Sequence, residues 1–132
     1  MKRIRVEKNW NVVITVERGS ADNHRISIRR RVLREHGGDP NPWEQITSNE
    51  EIANGAANKK SYIFDGYPQV TEWEISPEYY YGDDSASRKW HSSYLKLENP
   101  HDGGKTIELV YEDHKRGDDY FDLLVVFKRD TN

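Results

Sequence analysis

Apolar residues recur at every second position in the first part of the chain, at Trp10, Val12, Ile14 and Val16. The same alternation resumes at Ile26 after a stretch rich in turn-forming residues. A period of two is that of a strand with one buried face. The pattern therefore predicts a β-hairpin over positions 10–32, with the apolar residues of positions 4–6 extending its first strand or pairing with it.

Further short strands are indicated downstream, each bounded by Gly, Pro, Asp or Asn, over positions 62–64, 70–75, 94–97 and 106–111. Positions 36–60 lack a regular pattern and predict a long irregular excursion after the hairpin. Ser48 followed by Glu51 has the form of a helix capping box, so one short helix over positions 49–56 is an open alternative within the excursion.

The last predicted strand, Leu123 to Phe127, is apolar on both faces. This is typical of a central strand in a sandwich or of a strand in a subunit interface, so a homo-oligomer contact is expected here if one forms. Together the segments predict an all-β fold, a single domain over residues 1–132 that forms an antiparallel β-sandwich of about seven to nine strands.

The composition agrees with one globular domain and narrows its environment. The chain has 132 residues, a formal net charge of −3 and no cysteine, which excludes disulfides and thiolate sites. Positions 1–20 lack the apolar run of a signal peptide, and no later window is apolar enough for a membrane helix. We expect a soluble protein without membrane insertion, cytoplasmic by default, with export by a route that reads no cleaved signal left open.

The segment from Glu112 to Asp122 is rich in acidic residues. Calcium prefers about six to eight oxygen ligands, and carboxylates spaced along a loop with a glycine can wrap around such an ion. The candidate metal ligands are Asp113, Asp118, Asp119 and Asp122. The alternative is a polar hairpin loop in which the Asp side chains cap turns and pair with neighbouring cations.

The segment Asp119-Tyr120-Phe121-Asp122, with the apolar strand that follows it, resembles the C-terminal stretch of the calcium-dependent bacterial lectins that bind fucose and mannose through two adjacent calcium ions. That family has a small cysteine-free β-sandwich in which an Asp-Tyr-Asn-Asp loop leads into a final Val-rich strand. The resemblance implies that Asp119 and Asp122 are ligands shared between the ions. It also implies that Asp113 stands where the family has a glutamate ligand.

Two positions depart from the pattern of this family. Gly117 falls where the family places another aspartate, and Phe121 replaces an asparagine that contacts both calcium and sugar. Asp118 compensates for Gly117 only if the register shifts. In the family a turn near the N-terminus helps to bind metal and sugar, and Ser20 lies in a comparable turn here. The resemblance therefore adds Ser20 as a candidate ligand-binding residue.

Aromatic residues form a second candidate binding site, at Tyr79, Tyr80, Tyr81 and Trp90. Flat rings with a polar edge suit the faces of sugars and protein interfaces equally well. Trp73 alternates with two glutamates, so core packing is the favoured interpretation for its ring. Three consecutive tyrosines in a strand cannot all face inward.

Other motifs argue against catalysis and against nucleic acid as the main partner. Arg25, Arg29 and Arg31 share one face of a strand, where cross-strand ion pairing is favoured over phosphate contacts. The five histidines show no metal-ligand spacing, and the chain has no nucleophile motif and no phosphate-binding glycine loop. We therefore expect a protein that is not an enzyme.

Two hypotheses about function follow. The leading one is a small binding module, lectin-like and calcium-dependent, whose partner is a carbohydrate. The competing one is a protein-interaction domain, such as a phage-associated or toxin-neutralising protein. It would contact a protein partner through the tyrosine cluster and an exposed apolar strand.

Overall fold

The structure is a computed structural model that describes residues 1–19, 23–34, 37–38, 41–52, 58–82, 84–112 and 122–131. Ten strands are formed in these ranges: β1 (Lys2–Val6), β2 (Asn11–Arg18), β3 (Asn23–Val32), β4 (Glu44–Ile52), β5 (Lys59–Phe64), β6 (Thr71–Tyr81), β7 (Lys89–Ser92), β8 (Tyr94–His101), β9 (Thr106–Glu112) and β10 (Leu123–Asp130). A short 3-10 turn at Asp102–Gly104 joins β8 to β9. No helix in the described ranges could span a membrane.

The strands form two antiparallel sheets around one core, which confirms the predicted β-sandwich. The first sheet has the order β1-β6-β3-β4, and β7 also pairs with β6. The second sheet has the order β5-β2-β10-β9-β8. The last strand, β10, therefore lies in the middle of its sheet between β2 and β9, the position that its two apolar faces favoured.

The predicted hairpin over positions 10–32 is wrong. Strand β2 pairs with β10 and β5 in the second sheet, whereas β3 pairs with β6 and β4 in the first. The segment at positions 4–6 belongs to β1, which pairs with β6 and not with β2. An alternating pattern specifies which face of a strand is buried but not which strand lies beside it. Strands β2 and β3 lie in opposite sheets of the sandwich.

The predicted irregular excursion over positions 36–60 is also wrong in its main part, because β4 and the start of β5 lie within it. A helix over 49–56 is contradicted at Asn49–Ile52, which belong to β4, and positions 53–56 lie outside the described residues. Pairing with β3 supplies the hydrogen bonds of this segment, including one from the Asn49 N–H to Ser27 Oγ at 3.0 Å. The local capping signal is overridden by the sheet.

The core lies between the two sheets, with the ring of Trp73 inside it. This ring contacts Phe64 of β5 at a centroid distance of 4.9 Å and Phe127 of β10 at 6.1 Å. The indole N–H donates a hydrogen bond to Thr71 Oγ1 at 3.0 Å, so the buried polar atom is satisfied. The expectation that Trp73 packs in the core is confirmed.

Replacing a core isoleucine should cost far more stability than the same replacement on the surface. Ile75 of β6 is 0% exposed and Ile63 of β5 is 75% exposed. We expect Ile75→Ala to lower the free energy of unfolding in urea by about 2–5 kcal/mol, because it removes apolar contacts and leaves a cavity. Ile63→Ala is the matched control and should change it by less than about 0.5 kcal/mol. Equal losses for the two variants would contradict the assigned core.

Candidate functional site

Four connections between strands start and finish at one end of the sandwich, which we call the acidic end. They join β2 to β3, β4 to β5, β6 to β7 and β9 to β10, and the antiparallel registers bring these strand ends together. Each connection includes positions outside the described residues. Among these positions are the predicted site residues Ser20, Asp113, Asp118 and Asp119, together with Gly117 and Phe121.

Asp122 is the predicted metal ligand that the structure describes, and it is 2% exposed. Its backbone N–H donates to the carbonyl oxygen of Tyr111 at 3.1 Å, and its carbonyl oxygen accepts a hydrogen bond from the Gly19 N–H at 2.9 Å. The acidic segment follows β9 and ends at Asp122, and Ser20 follows Gly19. The structure thus joins the flank of the Ser20 turn to the flank of the acidic segment.

Buried polar side chains are concentrated near this end of the sandwich. They include Arg18, His24, Glu112 and Asp122. Arg18 Nη1 donates to the carbonyl oxygen of Ile52 at 3.1 Å, and Glu112 pairs with Lys96 at 2.7 Å. Charged groups are rarely buried so completely unless they are paired, because removing them from water is costly.

Sequence reasoning missed Arg18 and His24, although the period of two contains the signal for both. In β2 every second residue faces the core, and Arg18 is the next core-facing position after Val16. In β3, His24 lies two residues before the core-facing Ile26. A polar residue at the end of a buried alternation is a candidate for a polar site at the margin of the core.

The described residues do not by themselves form a metal centre. No group of three or more His, Asp or Glu side chains within the described ranges has an arrangement that could hold an ion. The calcium prediction depends mainly on Asp113, Asp118 and Asp119, which lie outside these ranges. It therefore stays a prediction.

The aromatic candidates do not form one surface, because they alternate between the two faces of the first sheet. Tyr79 is only 5% exposed and its ring stacks on His91 at 5.2 Å. Tyr80 points to the other face and lies 5.2 Å from the half-buried ring of Trp90. Tyr81 is half-buried at the end of β6. The expectation that the three tyrosines cannot all face inward is confirmed, and Tyr79 is placed as a packing residue.

The arginine row makes the expected cross-strand ion pairs between β3 and β6. The pairs are Arg25–Glu78 at 2.7 Å, Arg29–Glu74 at 2.5 Å and Arg31–Glu72 at 2.6 Å. Trp43, which the sequence pattern did not single out, lies against the same row. Its ring centroid is 4.9 Å from the Arg29 guanidinium carbon and 4.4 Å from that of Arg31, within the range of a cation–π contact.

Strand β8, at the edge of the second sheet, carries exposed apolar side chains. Leu97 is 48% exposed, and Tyr94 and Leu95 are exposed beside it. An edge strand has one row of backbone groups that its own sheet does not pair, which makes it suited to contact another chain. The central strand β10 is buried on its inner face and half-buried on its outer face, so β8 is the more accessible apolar strand.

Comparison with known proteins found likeness to solved structures but no family. No model of a known protein family matches the chain, and no curated protein matches it. A solved structure with a similar arrangement is the lectin CV2L of Chromobacterium violaceum in complex with alpha-methyl-fucoside. The two chains are 13% identical, with a TM-score of 0.47, over 92% of this chain and 96% of the lectin chain. A likeness of this size establishes no shared ligand.

The carbonyl oxygen of Tyr111 accepts the hydrogen bond from the Asp122 N–H, and the phenol of Tyr111 is buried. Burial raises the pKa of the Tyr111 hydroxyl above its ordinary value of 10.0, and the negative charge of Glu98 raises it further. This hydroxyl has no hydrogen-bond partner among the described residues. The neutral phenol of Tyr111 is therefore favoured in the folded state, and the group ionises more readily when the chain unfolds.

Stability should consequently fall at alkaline pH. The pKa of the Tyr111 hydroxyl is higher in the folded than in the unfolded state. Its contribution to the free energy of unfolding is therefore fully present below about pH 10 and is lost as the pH rises further. We expect Tyr111→Phe to weaken this decline and to leave the free energy of unfolding at neutral pH equal or higher, because the lost hydroxyl is unpaired. Urea titrations at neutral pH and at about pH 11 measure both effects. Tyr94→Phe, at an exposed position, is the control. If Tyr111→Phe left the alkaline decline in stability unchanged, the raised pKa of Tyr111 would be refuted.

Proposed function

We propose that this chain is a small carbohydrate-binding module that uses calcium at its acidic end. The observation that carries the proposal is the hydrogen bond from the Gly19 N–H to the Asp122 carbonyl oxygen. It brings together the flanks of two segments, the Ser20 turn and the acidic segment. The lectins that the acidic segment resembles use the corresponding turn and loop to build one site.

The chemistry of the donors supports calcium as the cofactor. Glu112 and Asp122 are buried carboxylates at the two ends of the acidic segment. Glu112 pairs with Lys96 at 2.7 Å, and Asp122 is one of the ligands that the resemblance to the lectins implies. Oxygen donors of this kind are those that calcium prefers. The segment itself contributes the further candidate ligands Asp113, Asp118 and Asp119.

Aromatic contacts to the sugar are proposed for Tyr80 and Trp90. Both rings lie on the outer face of the first sheet, on β6 and β7 near the acidic end. The Arg25 guanidinium carbon is 4.2 Å from the Trp90 ring centroid, which adds a hydrogen-bond donor beside the rings. A ring face next to a polar donor suits a sugar, which is apolar on its ring faces and polar at its edge.

Calcium should stabilise the fold measurably. At about 100 times its dissociation constant, an ion that binds only the folded state adds about 2.7 kcal/mol to the free energy of unfolding. We expect thermal unfolding in calcium to occur at a higher temperature than in EDTA, and the shift to disappear in the variant Asp118→Asn/Asp119→Asn. The variant Asp65→Asn, at an exposed position between β5 and β6, is the control and should keep the shift.

The same variants test the link between metal and sugar. On a glycan array, binding in calcium should be lost in EDTA and in the double variant but kept in the control. An unfolding temperature of the wild-type chain that is the same in calcium and in EDTA would contradict the metal site. Glycan binding that survives EDTA would contradict the role of calcium in sugar recognition.

The second candidate function is protein binding through β8, which the exposure of Tyr94, Leu95 and Leu97 on an edge strand favours. Tyr79 is not suited to this contact, because it is buried. A protein partner that adds a strand to β8 would gain backbone hydrogen bonds along the edge and apolar contacts with Leu97.

Under this alternative, an immobilised chain should capture one dominant protein. We expect Leu97→Ser to abolish or strongly reduce that capture, because it removes an apolar contact at the centre of the strand. Ile63→Ser is the matched control, since Ile63 is exposed on β5 at the opposite edge of the same sheet. Equal capture by Leu97→Ser and by the wild-type chain would exclude β8 as the contact surface.

A further inference from the structure

The end of the sandwich opposite the acidic end contains a cleft, which we call the basic cleft. It consists of two adjoining cavities, of about 430 Å³ and about 330 Å³, that share the side chains of Arg5 and Glu7. Lys8 and Arg34 line the larger cavity. The smaller cavity lies against the connection between β8 and β9 and the end of β10.

Cations dominate the lining of this cleft. They are Arg5, Lys8, Arg34, Lys105 and Arg129, and Glu7 is the one acidic residue that lines either cavity in the described part of the chain. Arg5 pairs with Glu7 at 3.1 Å, and Lys105 pairs with Asp130 at 3.1 Å. The other three cations have no carboxylate within ion-pair distance among the residues that the structure describes. Within the described residues, the lining of the cleft therefore carries more positive than negative charge.

The guanidinium of Arg129 is held in place by backbone carbonyls. Its Nε donates to the Gly104 carbonyl oxygen at 3.0 Å, and its Nη1 donates to the carbonyl oxygen of Arg5. Gly104 has a φ of +91°, and a Cβ there would come within 3.4 Å of Arg129 Nη2. These bonds orient the group without neutralising its charge and leave further N–H donors available.

Such a lining suits a tetrahedral oxyanion. Guanidinium groups present donors in a planar fork that matches sulfate and phosphate oxygens, and the ammonium of Lys8 adds a mobile point charge. The half-buried ring of Trp10 lines the smaller cavity and offers an apolar surface to the body of a ligand. A neutral sugar would make little use of this surplus of cations.

We propose that the basic cleft binds a sulfate or phosphate group carried by a small polar molecule, with Lys8 and Arg34 as the residues that contact the anion and Arg129 adding positive charge in the adjoining cavity. This site is separate from the acidic end and needs no calcium. If no anion binds in the basic cleft, the proposed carbohydrate function is unaffected. If the carbohydrate function fails its test, anion binding in the cleft is likewise unaffected.

The test is a titration of the isotope-labelled chain with sodium sulfate and with sodium phosphate, followed by NMR. Sodium chloride at equal ionic strength is the reference, because salt alone screens exposed charges. We expect saturable shifts at Lys8, at Arg34 and at the Trp10 indole N–H. The variant Lys8→Gln/Arg34→Gln should weaken binding about tenfold, equivalent to about 1.4 kcal/mol.

A matched variant separates the cleft from the overall charge. Arg88→Gln/Lys89→Gln changes the net charge equally at exposed positions near the acidic end and should bind as the wild type does. Equal weakening by both double variants would overturn the proposal, as would shifts no larger than those in chloride. Titration with glucose 6-sulfate and with glucose 6-phosphate then identifies the preferred anion, which is the one carried by the ester that binds more tightly. Glucose binding as tightly as both esters would also overturn it.

Discussion

The packing of one face of each sheet against the other is the constraint on which the rest of the structure depends. Only 34% of the residues are apolar, so the core is filled by placing them at alternate positions of strands that face each other. The large ring of Trp73, against Phe64 and Phe127, occupies the space between the sheets. Because β2 and β3 contribute to this core from opposite sheets, the chain at Gly19 crosses the end of the sandwich.

The two ends of the sandwich are chemically different. At one end the connections bring together buried polar groups such as Asp122 and Arg18. At the other, described residues that follow β1, β3 and β8 line a cleft with exposed cations such as Lys8 and Arg34. A net charge of −3 conceals this separation, since binding responds to the local field and not to the sum of the charges.

The sequence predicted the strands with an apolar face well, because a period of two reports burial directly. The strand at Leu123–Phe127 and the cross-strand use of Arg25 are examples. Pairing partners were not predictable, because the same alternation fits a hairpin and two strands that face each other across a core. Strand β4 was missed because its inward face includes Thr47, whose hydroxyl accepts a hydrogen bond from the Ile28 N–H at 3.2 Å in place of an apolar contact.

For the candidate site, the acidic composition identified Asp122, and the period of two would have identified Arg18 and His24. The convergence of these residues could not be predicted, because it depends on long-range pairing. Arg18 lies opposite Leu123 in the register of β2 and β10, and His24 lies opposite Ile52 in that of β3 and β4. A hydrogen bond from Arg18 to the Ile52 carbonyl oxygen then connects the two sheets. No local pattern encodes such a contact.

The position of Asp122 gives a physical reason to look for function at the acidic end. Its hydrogen bonds to Tyr111 and Gly19 use only backbone atoms, so any residue other than proline could make them. Burying a carboxylate at this position costs several kcal/mol before compensation by its partners. Arg18 and His24 are buried near the same end and add to that cost. Proteins tend to accept such costs where a site must be built, so the concentration of buried polar groups supports the proposal of a binding site there.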